Sequence, residues 1–320
     1  MDKKKICVVT PCYNEEANVV PLYEAVKKEF EKLPDYAYSH LFIDNDSKDK
    51  TPILLEGLAA KDKNVKVILN TRNFGHLRSP FHGLMSAPGD AVISLVADFQ
   101  DPPEMIPILL NKWREGYKSV IAVKTKSREK PLMFLIRKLY YKIVRKVSEI
   151  ESIDNYTGFG LYDRVVIEAM RRLNDPYPYM RGMICEIGYG YATIEYTQPR
   201  RQRGITKNNF YTLLDLALLG ITSNSKVPLR IATIVGSAMA GVSFCVAMVY
   251  LFLKLFNWDT FTMGMAPVAI GVWFLGSVQL FFIGLLGEYI GNIYTKVADR
   301  PHVFEKKRIN LDDDDSVGSR

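Results

Sequence analysis

The chain has 320 residues, of which 48% are hydrophobic and 24% charged, with a formal net charge of +7. That length holds one large domain or two ordinary ones, and the composition is globular on average. The four cysteines (7, 12, 185 and 245) have neither pairing nor metal-site spacing, which points to a reducing compartment.

The N-terminal MDKKK runs straight into ICVVTP, too short an apolar run for a signal peptide, so the part before the later apolar segments is expected to stay in the cytosol. KICVVTP reads as a short buried strand. EANVVPLYEAVKKEFEKL sets Val19, Leu22, Val26 and Phe30 on one helical face. HLFID is a second strand ending at Asp44, and KDKTPILLEGLAAKD a second helix starting near Asp49 or Thr51. VKVILN is a third strand, and LRSPFHGLMSA a helix with Pro80 in its first turn. DAVISLVAD is a fourth strand, PPEMIPILLNKWREG a further helix and SVIAVK a further strand. Strands alternating with helices predict an α/β domain with a parallel, doubly wound sheet.

Such sheets bind ligands at the carboxyl ends of their strands. Three polar clusters fall there: PCYNEE, DNDSKDKT and ADFQDPP. They gather Glu15, Asp44, Asp46 and Asp98 on one rim. Carboxylates so crowded repel, so cationic or hydrogen-bonding groups are expected among them. Asp98, Gln100 and Asp101 offer hard oxygen ligands that suit Mg²⁺ or Mn²⁺ shared with a substrate's phosphates. Asp98 as the cap of the following helix is the competing reading. The four histidines are scattered, with His76 and His82 six apart on a turn. No Gly-rich phosphate loop and no Ser or Cys nucleophile motif occurs. The charge alone would allow nucleic acid, but the basic residues cluster beside the apolar segments instead, so no nucleic-acid partner is expected.

Ile231–Leu253 and Thr260–Gly287 carry no charge, and each is long enough for the roughly 20 residues a membrane span needs. Lys254 and Asp259 mark a short loop between them. Lys226 and Arg230 flank one side, and Lys296, Arg300, Lys306, Lys307 and Arg308 the other, which by the positive-inside rule puts both termini in the cytosol. The expected layout is a cytosolic catalytic domain (1–208), a juxtamembrane interfacial helix (209–227), two spans (228–290) and a cytosolic tail (291–320). The end of that tail, LDDDDSVGSR, reads as disordered.

PCYNEE, DNDSKDKT, RNFG at 72–75 and ADFQDPPE follow one another as in family 2 glycosyltransferases, which this sequence resembles. The two C-terminal spans and GEYIGNIYTKVADRP make it similar to the polyprenyl-phosphate glycosyltransferases, the group of bactoprenol glucosyltransferases and dolichol-phosphate mannose synthases. The resemblance implies a GT-A fold, a nucleotide-sugar donor (a UDP-sugar ahead of a GDP-sugar) and inversion at the anomeric carbon. It also implies Mg²⁺ or Mn²⁺ and a polyprenyl-phosphate acceptor. By the same resemblance Pro11, Tyr13, Glu15, Asp46 and Arg72 line the nucleotide pocket and Asp44 bonds the base. Asp98, counted among the catalytic residues, holds the metal with Gln100. RQRGITK supplies Arg201, Thr206 and Lys207 for phosphate oxygens, a solvated basic loop being the alternative. SREKPLMFLIRKLYYKIVRK suits an interfacial helix whose Arg128 and Arg137 receive a lipid phosphate, or a helix packed on the domain.

Two motifs depart from the family pattern. The first acid of the usual Asp-x-Asp is Val96. Where relatives carry Gly-Asp-Phe-Arg-Leu, this chain has TGFGL, with Gly158 for the candidate general base and Gly160 for the Arg. A phosphate acceptor is already anionic, so positioning would carry much of the rate, or Asp154 takes the catalytic role. Asp163 reads as a structural salt bridge. Two other readings stay open: a different lipid acceptor, and a nucleotide-sugar-binding scaffold or sensor without turnover. A homo-oligomer is compatible with the sequence.

Overall fold

The computed structural model describes residues 3–124, 153, 156–176, 178–199, 227–256, 265–298 and 300–311. The chain divides into two units: residues 1–142, 150–210 and 299–320, and residues 143–149 and 211–298.

In the first unit the described elements run β1 (Lys4–Cys12), α1 (Val19–Glu31), β2 (Tyr36–Asp44), α2 (Thr51–Lys61), β3 (Val65–Asn70), α3 (Gly75–Ser86) and β4 (Ala91–Ser94). A 3₁₀ turn (Pro103–Met105), α4 (Ile106–Arg114), β5 (Ser119–Lys124), β6 (Tyr156–Asp163), α5 (Arg164–Leu173), α6 (Met180–Ile187), β7 (Tyr191–Tyr196) and β8 (Glu305–Ile309) follow. The strands form one sheet in the order β7-β5-β6-β4-β1-β2-β3-β8.

The centre of the sheet is apolar on both faces, which is why β1 reads as an unbroken hydrophobic run. Alternate β1 residues take opposite faces. Ile6 and Val8 join Val19, Leu22, Val26, Phe30, Leu55 and Leu109, while Cys7 and Val9 join Phe81, Leu84, Val166 and Met170. Each such buried aliphatic or aromatic side chain contributes about 1.5–3 kcal/mol.

The structure corrects several sequence expectations. The sheet is mixed, because β6 runs antiparallel to β4 and β5, and β8 antiparallel to β3. β4 ends at Ser94, four residues before Asp98, because the backbone N–H of Val96 turns to the Asp101 carboxylate (3.2 Å). Pro80 lies inside α3 rather than in its first turn, so the bond its N–H would make to His76 is missing. Past residue 290, where the sequence places the start of a tail, the second apolar helix continues to Val297, and the segment after it returns as an edge strand of the sheet, paired with β3.

This strap is well fastened. Asn310 donates to the carbonyls of Ala59 (2.7 Å) and Val65 (2.9 Å), and Glu305 meets His82 (2.5 Å) and Arg308 (2.8 Å). Burial pushes the Glu305 carboxyl up, but His82 and Arg308 outweigh it and hold it at about 2. Burial lowers His302 to about 4. Both shifts act in one direction. Glu305 stabilises the fold above its usual 4.5 and loses this as pH falls toward 2. His302 must stay neutral, so its site resists protonation as pH falls from 6.5 to 4. Amide exchange across residues 303–311, corrected for intrinsic rate, is expected to lose about tenfold or more protection between pH 7 and pH 4. Unchanged protection would contradict these two roles.

The second unit contains α7 (Val227–Phe256) and α8 (Met265–Val297). Within them Leu229–Leu253 and Phe274–Val297 are long and apolar enough to cross a membrane, with mean hydropathies of 2.0 and 1.4 and none of their described residues buried.

Candidate active site

β4, β1 and β2 are adjacent and parallel, so the loops after them share one rim. The first two interlock. Asn14 N–H donates to Ser47 Oγ (2.8 Å) while Asn14 Oδ1 accepts from Lys48 N–H (2.8 Å). Glu15 N–H donates to Thr51 Oγ1 (2.9 Å), and Glu16 N–H to Asp49 (3.2 Å). Each of the three loops holds one non-glycine residue in the left-handed region: Asn14 (φ 56°), Asp46 (φ 61°) and Phe99 (φ 59°). Asn and Asp tolerate that region; for a Phe it costs on the order of 1–3 kcal/mol, a strain typical of functional loops.

The groups expected among the crowded carboxylates are mainly neutral donors. Asp44 is 2% exposed and accepts from Ser47 through N–H (3.0 Å) and Oγ (2.5 Å). Its pKa is raised by burial, against the two Ser47 bonds. Asp44, which the resemblance assigns to the base, has its carboxylate bonded within its own loop. Asp46 pairs with exposed Lys48 (2.6 Å), and Glu15 accepts from Asn18 (2.6 Å). Pro11, Tyr13, Glu15 and Asp46 are half-buried on the rim. Beneath them, the Cys12 thiol is pushed well above its usual range, first by burial and then by Asp44 and Glu15, so it is no nucleophile.

The third loop separates its acids. Asp98 and Gln100 stay half-buried on the rim, and Asp98 Oδ1 accepts from Gln100 N–H (3.2 Å). Asp98 does not cap the following turn, which starts after Pro102. Asp101, also counted as an oxygen ligand from sequence, points inward. It is 2% exposed and accepts from Val96 N–H (3.2 Å) and Tyr196 Oη–H (3.0 Å). Burial raises Asp101 to about 7 in spite of those two bonds.

No group of three or more His, Cys, Asp or Glu that would hold a metal unaided occurs among the described residues. One carboxylate and one amide oxygen on a rim loop fit Mg²⁺ or Mn²⁺, which retain waters and complete their shell with substrate phosphates. They do not fit a cage made of protein alone.

The loop after β3 carries Arg72, and sequence reasoning missed the residue that places it. Asn45, 6% exposed, accepts from Phe74 N–H (2.9 Å) and Asn70 Nδ2 (3.2 Å) and donates to Asn73 Oδ1 (2.9 Å) and the Gly75 carbonyl (3.1 Å). The guanidinium of Arg72 lies 4.1 Å from the centre of the Phe74 ring.

Both glycines of the departing motif lie in β6. Gly158 has φ +104°, which strains any L side chain. A Cβ on Gly160 would sit 2.5 Å from the Val120 carbonyl oxygen. Asp163 caps α5 through Val165 N–H (3.1 Å) and also binds Trp113 (2.8 Å) and Lys118 (3.1 Å). Burial raises its pKa, but these bonds win and keep it below the usual range. Arg128, Arg137, Asp154, Arg201, Thr206 and Lys207 lie outside the described residues. A cavity of about 530 Å³ between Tyr23, Phe30, Tyr38 and Asp62 lies at the other end of the strands, away from this rim.

A Rossmann-like mixed sheet with three acidic loops on its carboxyl rim is the arrangement of a GT-A glycosyltransferase. Residues 7–171 match glycosyl transferase family 2, and residues 227–293 match the GtrB C-terminal hairpin. The chain belongs to glycosyl transferase family 2.

The SfII prophage-derived bactoprenol glucosyl transferase of Shigella flexneri is 36% identical, over 95% of this chain and 98% of that one. The uncharacterized glycosyltransferase YkcC of Bacillus subtilis (strain 168) is 34% identical, over 95% and 94%. A solved glucosyl-3-phosphoglycerate synthase from Mycobacterium tuberculosis, in complex with Mn²⁺, UDP and phosphoglyceric acid, is similar at 20% identity and a TM-score of 0.45, over 68% of this chain and 76% of that one.

Proposed function

We propose that this chain transfers a hexose from a nucleotide sugar, a UDP-sugar first, to polyprenyl phosphate at the cytosolic face of a membrane, with inversion. The observation that carries this reading is the match to a bactoprenol glucosyl transferase over 95% of the chain, apolar helices included. The chemistry agrees. A lipid acceptor stays in the bilayer while its phosphate meets a soluble donor, and a membrane-anchored GT-A domain suits that meeting.

In this reading Pro11, Tyr13, Glu15, Asp46 and Arg72 contact the nucleotide, and Asp44 bonds the base, its carboxylate oriented by Ser47. Asp98 and Gln100 hold Mg²⁺ or Mn²⁺ against the donor diphosphate. When bound, that ion neutralises charge developing on the leaving group. Asp101, inward and bonded to Tyr196 and Val96, keeps Asp98 and Gln100 on the rim. Arg128, Arg137, Arg201, Thr206 and Lys207 receive phosphate oxygens of the acceptor or donor. The acceptor phosphate attacks as an anion, so the rate comes mainly from alignment, with Asp154 the nearest acid in sequence to Gly158. Residues 1–208 with the strap form the catalytic domain, 209–227 an interfacial helix, and the two spans lie within α7 and α8. Both termini are cytosolic, and a homo-oligomer is compatible.

The acceptor is tested by supplying undecaprenyl phosphate, undecaprenol or diacylglycerol to the detergent-solubilised protein with labelled donors. Label is expected in the undecaprenyl phosphate fraction alone. Label in diacylglycerol would move the reading to another lipid. Nucleotide binding without any labelled lipid would favour the non-catalytic scaffold.

A further inference from the structure

Without β8, β3 would be the edge of the sheet, and the loop 71–75 that follows it would be held from one side only, by Asn45. The strap supplies the other side. Thr71 donates through N–H (2.9 Å) and Oγ1 (3.1 Å) to the Phe304 carbonyl. The Phe304 ring lies 6.3 Å from that of Phe74, the ring on which Arg72 rests. The register of β3 with β8 also breaks beside this loop, where Asn70 pairs with Glu305. The strap is therefore anchored at its far end by Asn310 and Leu311 and delivers Phe304 to the loop at its near end. Phe304 is 59% exposed. An aromatic so exposed adds little to the core, so its placement calls for a reason other than burial.

We propose that Phe304, on the segment following the apolar helices, is a positioning residue for the donor site: it holds the Phe74–Arg72 stack and so sets the nucleotide-binding loop. This rests on the reading of that loop as part of the donor site. The competing role is that the strap merely covers a sheet edge that would otherwise aggregate. The two roles differ in what they do to a folded molecule. A cover alters stability; a positioning residue alters affinity.

The test is calorimetric titration of the full-length protein in detergent with UDP plus Mn²⁺ and with GDP plus Mn²⁺. Wild type is compared with Phe304→Ala, Arg72→Ala and Lys307→Ala. Lys307 shares the strap but pairs with Glu56 (2.8 Å) on α2. Phe304→Ala is expected to weaken binding of the preferred nucleotide about five- to tenfold, and to raise the donor KM with kcat within about twofold. Lys307→Ala is expected to leave the dissociation constant unchanged. Unchanged affinity in Phe304→Ala, with or without a lower melting temperature, overturns the proposal. Weakened Phe304→Ala beside an unaffected Arg72→Ala supports the strap's role and strikes only the nucleotide contact assigned to Arg72. A wild-type chain that binds neither nucleotide contradicts the donor reading and the inference with it.

Discussion

Asp98→Asn is expected to lower glycosyl transfer by about 100- to 1,000-fold, the scale of removing one group aimed at charge that develops in the transition state. The substitution is nearly isosteric. The Oδ1 that accepts from Gln100 N–H (3.2 Å) survives in Asn, so the loop keeps its turn. What disappears is the negative charge that the proposed reading directs at a divalent cation. Asp98 is half-buried on the rim, so the melting temperature is expected to move little, which separates this effect from misfolding. Gln100→Ala removes a neutral oxygen donor and is expected to cost less. Initial rates at saturating donor, taken across a Mn²⁺ series, check both. An Asp98→Asn enzyme at wild-type speed would remove the metal assignment.

Gly160→Ala has the largest expected effect on stability. Gly160 sits between two neighbours in the sheet, opposite Ser94 of β4 and Ile121 of β5. The obstacle 2.5 Å from its added Cβ is the backbone oxygen of Val120, not the yielding end of a side chain. The strands would have to part or shift register. A loss of about 3 kcal/mol or more follows, at the upper end of overpacking changes, with the melting temperature lower by roughly 10 °C. Gly158→Ala meets no neighbour within 4 Å and pays only for φ +104°, so it is expected to cost about 1 kcal/mol. Thermal melts of the two variants check the order.

The rim was readable because its signals are local. An apolar run that gives way within a few residues to Asn, Asp or Gln places those residues beyond the carboxyl end of a strand, even where, as in β4, the strand stops four residues short, and β4, β1 and β2 are neighbours. What escaped depends on distant partners. Asp101 and Asp98 look alike in ADFQDPP; only Tyr196, 95 residues on from Asp101, turns one of them inward. TGFGLYDR lacks the alternation of a half-buried strand because β6 is central and buried, with glycines that answer to close backbone approach. EKKRI reads as a basic membrane flank, yet charge is also what an edge strand carries, and its partner His82 lies 223 residues before Glu305.

The central claim is metal-assisted transfer of a sugar from a nucleotide donor to polyprenyl phosphate. Its most direct test is mass analysis of the lipid formed when the purified protein meets undecaprenyl phosphate, Mn²⁺ and a panel of UDP- and GDP-sugars. The predicted result is an undecaprenyl-phosphate hexose from one donor, absent with chelator and nearly absent with Asp98→Asn. Undiminished product in chelator would contradict the role given to Asp98 and Gln100, and no glycolipid from any donor would contradict the activity itself.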